Sequence, residues 1–383
     1  MKNHTYRTWA EINLDALKNN IKNIKSYVKS GTKVMAVVKA DAYGHGSPMA
    51  AKTLIQNGAD YLGVAFIDEA KQLRDEGIDC PILVLGYTAA EDVEKMVELD
   101  IIPTIYQFDS AEKFSDAAVK LGKKVKIHIK LDTGMNRIGF PCSEESLETI
   151  RKISKLKNIE IEGIFTHFSC ADDKERDYTD AQAEKFIWAV NSLEKMGIYI
   201  PIKHVCNSAG TINFPEYHFD MVRAGIIVYG VKPSDYVDIS PLNLEPALTL
   251  KSMVTRVLEI GAGEKISYGG TFVSENDTKI AAISIGYADG YLRTLSGKAP
   301  VLINGECAKV VGRICMDQCI IDVTSVNNIK VEDEVIVAGG PTESPVSFDK
   351  LAVLAGTINY ELFCLIGKRV PRVYLKDGKF LDL

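Results

Sequence analysis

Lys39 closes the apolar run Val34-Met35-Ala36-Val37-Val38. A buried strand that ends in lysine carries its amine to the rim of a sheet. Desolvation there favours the neutral amine, the form that condenses with a carbonyl. Taken alone, such a lysine is equally consistent with a side chain that reaches solvent. Other residues have types suited to proton transfer or anion binding. His167 follows Ile161-Glu162-Gly163-Ile164-Phe165-Thr166, Arg223 opens Arg223-Ala224-Gly225-Ile226, and Tyr268 lies in Lys265-Ile266-Ser267-Tyr268-Gly269-Gly270-Thr271. Each has an ordinary alternative: a satisfied structural histidine, a surface arginine before a turn, an amphipathic surface tyrosine.

Positioning these groups requires strands. Short β-branched apolar runs are expected as strands at Val34 to Lys39, Tyr61 to Phe66, Ile82 to Gly86, Ile102 to Tyr106, Val125 to Leu131, Ile161 to His167, His204 to Asn207 and Val222 to Tyr229. Helical periodicity falls between them at Pro48 to Asn57, Glu69 to Glu76, Glu91 to Leu99 and Asp180 to Met196. This alternation has the size and order of an α/β fold of the (β/α)8 TIM-barrel type over residues 1–240. In such a barrel the C-terminal strand ends, including Lys39, face the site. From 241 to 383 the pattern changes to runs broken by Gly, Asn and Asp, including Asn304-Gly305, and reads as a mainly antiparallel β domain.

Composition bounds the partners. With 46% hydrophobic and 25% charged residues, the 383-residue chain has the balance of an ordered protein rather than a disordered one. A net charge of -6 gives no reason to expect nucleic acid or an anionic membrane as a partner, so a small molecule is the default. The first 20 residues hold no apolar core of a signal peptide, and no run approaches a membrane span, so a cytoplasmic location is expected. Eight cysteines are dispersed without a CxxC pair, and Cys315 and Cys319 lack further ligands nearby in sequence; no metal is expected.

The stretch Ala36-Val37-Val38-Lys39-Ala40-Asp41-Ala42-Tyr43-Gly44-His45-Gly46 resembles the cofactor-lysine motif of the alanine racemases. Further similar segments run in order from Trp9-Ala10-Glu11-Ile12 to Arg369-Val370-Pro371-Arg372. The resemblance implies an isomerase that uses pyridoxal 5′-phosphate (PLP) to interconvert L-alanine and D-alanine, supplying D-alanine for cell-wall peptidoglycan. It implies Lys39 and Tyr268 as the two bases, one on each face of a planar intermediate. It also implies a homodimer with shared sites, each Tyr268 serving the partner's barrel.

Other roles come from the same resemblance. Arg137 is assigned to the phenolic oxygen of PLP and to substrate, and Lys130, in His128-Ile129-Lys130-Leu131-Asp132, to a carbamate that orients Arg137. His167 would bridge Arg223 and the catalytic tyrosine, with Arg223 at the pyridine nitrogen. Asn207, Ser208, Gly225, Ile226, Tyr43 and Tyr360 would hold the cofactor, and Met316 and Tyr287 the substrate. The rivals are a serine or broad-specificity racemase of the same fold and a PLP carrier without turnover. The segment Phe363-Cys364-Leu365-Ile366-Gly367-Lys368 departs from the commonest family version and leaves substrate preference least defined.

Overall fold

The computed structural model describes residues 6–381. The described residues form two compact units: one of residues 17–42 and 47–244, the other of residues 6–16, 43–46 and 245–381.

The first unit is the expected (β/α)8 barrel. Its parallel strands are Lys33–Val37, Tyr61–Val64, Ile82–Val84, Ile102–Ile105, Val125–Asp132, Ile159–Phe165, Ile202–His204 and Met221–Ala224. They pair in chain order, and the last returns to the first through Met221 to Ala224 against Lys33 to Ala36. The remaining seam is drawn together by Asp220 N–H donating to the Lys203 carbonyl (3.1 Å) and Arg223 N–H to that of Cys206 (3.0 Å). Both faces of these strands are covered, which is why they read as almost unbroken apolar runs. Met35, Tyr61, Leu83, Ile102, Phe165 and Met221 pack together in one buried cluster.

Helices alternate with the strands. Glu144–Ile153 shows the local logic: Ser143 caps it by accepting from the Ser146 N–H, acids occupy its first turn and Arg151 and Lys152 its last. The run expected as one strand at Val222 to Tyr229 breaks at Gly225. A single 3₁₀ turn follows at Ile226–Tyr229.

The second unit is mainly antiparallel, as expected. Strands Thr278–Ile283, Cys319–Asp322, Glu306–Val311, Pro300–Ile303, Glu334–Ala338 and Leu248–Ile260 follow one another in the sheet. The ring closes because the long strand Leu248–Ile260 pairs with Glu334–Ala338 through its first half and with Thr278–Ile283 through its second. Asn304 and Gly305 have φ of 52° and 81° and join Pro300–Ile303 to Glu306–Val311, the two left-handed positions of a tight hairpin.

One strand falls outside the expected division at residue 240. Thr8–Asn13 adds to this sheet, antiparallel to Leu248–Ile260 and parallel to Arg372–Lys376. Its alternating burial suits a sheet with one covered face rather than a barrel strand. Among the described residues no helix is long and apolar enough to cross a membrane.

Candidate active site

Lys39 stands two residues beyond its strand, at the C-terminal mouth of the barrel. The helical turn it opens, Lys39–Gly44, is left-handed: Ala40, Asp41, Ala42 and Tyr43 have φ of 53°, 54°, 54° and 53°. Each non-glycine residue held there costs about 1–2 kcal/mol. Such strain persists only where the surroundings fix it. Here the Ala42 N–H donates to the Val38 carbonyl at 2.9 Å. The Glu69 carboxylate accepts from the Ala40 N–H (2.6 Å) and the Ala65 N–H (2.7 Å), and Asp41 accepts from the Ser47 N–H (2.7 Å).

Arg223, 3% exposed, rises from the last barrel strand. One terminal nitrogen donates to His204 Nδ1 (2.9 Å) and the His204 carbonyl (3.1 Å). The other donates to the carbonyls of Thr166 (2.8 Å) and Val205 (2.9 Å) and to His167 Nδ1 (3.2 Å). Its Nε–H has no acceptor among the described residues. Burial lowers the guanidinium to about 10, still far above neutral, so it remains a cation that can only donate.

His167 is held well below the ordinary histidine range, first by burial and then by Arg223, Lys130, Arg137 and Lys39. Five of the residues singled out in the sequence therefore share one electrostatic neighbourhood. Its backbone is fixed by Gln182, which donates to the His167 carbonyl at 3.2 Å and to Thr133 Oγ1 at 3.2 Å.

Lys130, 3% exposed, donates to the Leu131 carbonyl at 2.8 Å. Burial, reinforced by Arg223 and Arg137, lowers its amine to about 7. Arg137 is exposed and makes no side-chain hydrogen bond among the described residues.

The segments that follow the last two barrel strands offer donors. Asn207 caps the helix Ser208–Asn213 by accepting from the Gly210 N–H at 2.9 Å and donates to the Phe168 carbonyl at 3.1 Å. The buried Ser208 hydroxyl accepts from the Gly225 N–H at 2.9 Å, which leaves its own proton to give. At the start of the Ile226–Tyr229 turn, the N–H groups of Ile226 and Ile227 have no acceptor within the turn. Hydroxyl and backbone donors on adjacent elements are a donor set for an anion.

The remaining candidates belong to the second unit. Tyr43 is buried and Tyr360 half-buried, their rings 6.1 Å apart. Tyr268, 70% exposed, lies in a one-turn 3₁₀ segment between the paired strands Lys265–Ile266 and Phe272–Val273. Preceding it, Ser267 has φ of 63° and donates to the Arg313 carbonyl at 2.6 Å. The Arg313 guanidinium packs against Gly269, where a Cβ would stand 3.2 Å from Nη1. Tyr287 donates its N–H to the Cys315 carbonyl, and Ala288 donates to that of Met316, both at 3.0 Å. Tyr287 and Met316 are thus neighbours, both largely exposed.

Sequence reasoning missed His204, His128, Glu162, Glu69 and Gln182. One signal was available: a histidine inside an apolar strand has no water and must find a partner.

Known proteins similar to this chain agree over its length. The family description "Alanine racemase, N-terminal domain" matches residues 12–233, and "Alanine racemase, C-terminal domain" matches residues 247–374. The chain is 49% identical to alanine racemase 1 of Clostridium acetobutylicum, covering 100% of this chain and 99% of that protein. It is 52% identical to the alanine racemase of Methanococcus maripaludis, covering 96% and 98%. A solved alanine racemase of Clostridium difficile 630 superposes with a TM-score of 0.95 at 43% identity, over 99% of this chain and 98% of that one. The chain belongs to the alanine racemase family, isomerases that interconvert L-alanine and D-alanine.

Proposed function

We propose that this chain is a PLP-dependent alanine racemase in which Lys39 anchors the cofactor and works as one of two opposed bases. The other is Tyr268 of the partner subunit. D-Alanine for peptidoglycan is the use that the family resemblance implies.

The observation that carries this reading is the state of Arg223: its terminal N–H groups are committed inside the barrel, and Nε–H alone has no acceptor among the described residues. A buried, permanently charged donor of this kind suits a ring nitrogen that accepts and stays unprotonated. The other residues of the barrel unit fit the same group. Ser208, Gly225 and Ile226 would hold the phosphate, with Asn207 fixing the helix that carries Ser208. Tyr43 and Tyr360 are assigned to it by family resemblance. PLP, when bound, supplies an electron sink for the pair left on the substrate α-carbon.

Lys39 holds or accepts a proton at Nζ on one face of the substrate, and Tyr268 does so at its hydroxyl on the other. The neutral His167, accepting at Nδ1 from Arg223, has Nε2–H left to donate to a tyrosinate. A carbamate on Lys130 would turn a costly buried amine into an acceptor for Arg137. The exposed Tyr287 and Met316, with Arg137, would meet the substrate.

Borohydride reduction followed by peptide mapping tests the reading. The cofactor label is expected on Lys39; a label on another lysine contradicts it.

A further inference from the structure

We propose that Glu162, His128 and His204 form a hydrogen-bond relay with one allowed direction, which runs through the barrel interior and fixes how Arg223 presents its Nε–H. Glu162 is then a positioning residue for the cofactor. This rests on the reading of Arg223 as the partner of the cofactor ring nitrogen.

The direction follows from donor and acceptor chemistry. Arg223 cannot accept, so His204 Nδ1, at 2.9 Å, accepts from it. A neutral imidazole that accepts at one nitrogen donates from the other. His204 Nε2–H therefore faces His128 Nδ1, at 2.9 Å, and His128 must accept there. His128 Nε2–H then donates to Glu162 Oε2 at 3.3 Å, while Lys126 donates to Oε1 at 2.7 Å. Reversing any link sets two donors against each other at Arg223. Neutrality of the pair is supported by burial, which pushes both histidines below their ordinary value. At the far end burial opposes the Glu162 charge, but hydrogen bonds from His128 and Lys126 prevail and draw it to about 2.

The backbone is built for this contact. Along Val125–Asp132, residues 126, 128 and 130 share one face, so Lys126, His128 and Lys130 step through the barrel from its N-terminal end toward the mouth. Ile127 pairs with Ile161 but His128 with Gly163, so Glu162 is the extra residue of a bulge, a device that re-aims a side chain. Gly163 is required beside it: a Cβ there would overlap the His128 ring. The Phe165 ring stacks on His204 at 4.6 Å and lies 5.3 Å from the Arg223 guanidinium, which holds the planes of both.

The test uses ¹⁵N-histidine spectra of cofactor-free and PLP-loaded enzyme, together with PLP affinity and the absorbance band of bound PLP. In the unaltered chain His128 and His204 are both expected to carry hydrogen on Nε2. Glu162→Leu removes the terminal acceptor. It is expected to mix or reverse the tautomers, shift the band and weaken PLP retention by about tenfold, the equivalent of one charge-assisted hydrogen bond. The double substitution Glu162→Gln with Lys126→Met keeps an amide oxygen that can accept from His128 and removes the ammonium that calls for a charged partner, and is expected to restore tautomers and band without any charge. A folded Glu162→Leu enzyme with unchanged band and affinity overturns the relay. If that variant does not fold, the unaltered chain still decides: hydrogen on Nδ1 of His128 or His204 overturns it. A chain that takes up no PLP defeats the functional reading instead, and the cofactor-free spectra still decide the relay.

Discussion

Arg223 donates to His167 Nδ1 across 3.2 Å, and that contact fixes the histidine as a neutral ring with its proton on Nε2. A guanidinium spread over two histidines and three carbonyls cannot be replaced by an ammonium, which has three donors and no plane. Arg223→Lys is expected to lower stability by about 2–4 kcal/mol and kcat/KM by about a hundredfold or more. Urea unfolding and racemisation kinetics check this; a change below threefold in kcat/KM contradicts it.

Acid should destabilise the fold early. His128, His167 and His204 have folded-state proton affinities below the ordinary histidine value of 6.5, each with burial as the first cause. The unfolded chain therefore takes up protons first as pH falls, and stability drops progressively below about pH 6.5. Urea unfolding at pH 7.5, 6.5 and 5.5 measures it. A flat profile would show that these rings titrate as freely in the fold as out of it.

Much of the barrel was legible because its strands are buried on both faces and separated by amphipathic helices, so hydrophobic periodicity carried their order. Ile226–Tyr229 was read as strand because four apolar residues look alike in a strand and in a buried 3₁₀ turn. The left-handed turn after Lys39 was not legible: alanine at positions 40 and 42 has no local preference for positive φ, and the turn is held by tertiary hydrogen bonds that Glu69 accepts from the Ala40 N–H and Asp41 from the Ser47 N–H. Lys39, His167 and Arg223 could be singled out as candidates, yet their shared neighbourhood required the closed ring of strands. Glu162 was hidden because its orientation depends on a bulge.

The same turn yields a stability prediction. Ala40 is exposed at φ of 53°, a conformation that glycine adopts without steric cost. Ala40→Gly is expected to raise stability by up to about 1 kcal/mol, since relief of the left-handed cost outweighs the added freedom of the unfolded chain. Thermal unfolding reads the sign; a loss of 1 kcal/mol would mean that the Ala40 side chain contributes packing there.

Burial first and Arg223 next lower the Lys130 amine to about 7, and the neutral amine is the form that the proposed reaction with carbon dioxide requires. Its folded value lies below the ordinary 10.5, so the unmodified amine lowers stability most below about pH 7, and the cost fades as pH rises toward 10.5. A carbamate removes the cost. With ¹³C-bicarbonate at pH 8, a carbamate carbonyl resonance is expected that disappears in Lys130→Ala, along with a rise in melting temperature in the unaltered chain only. An intact mass and ¹³C spectrum showing an ordinary amine at Lys130 would remove this proposal.

The pairing of Lys39 with Tyr268 of the partner subunit is tested most directly by complementation. Lys39→Ala and Tyr268→Ala chains are each expected to be inactive as homodimers. Refolded together at equal amounts, about half the dimers are mixed, each with one site free of both substitutions, so about a quarter of unaltered activity per chain should return. Mixed dimers verified by mass spectrometry that recover no activity would contradict a site shared between subunits.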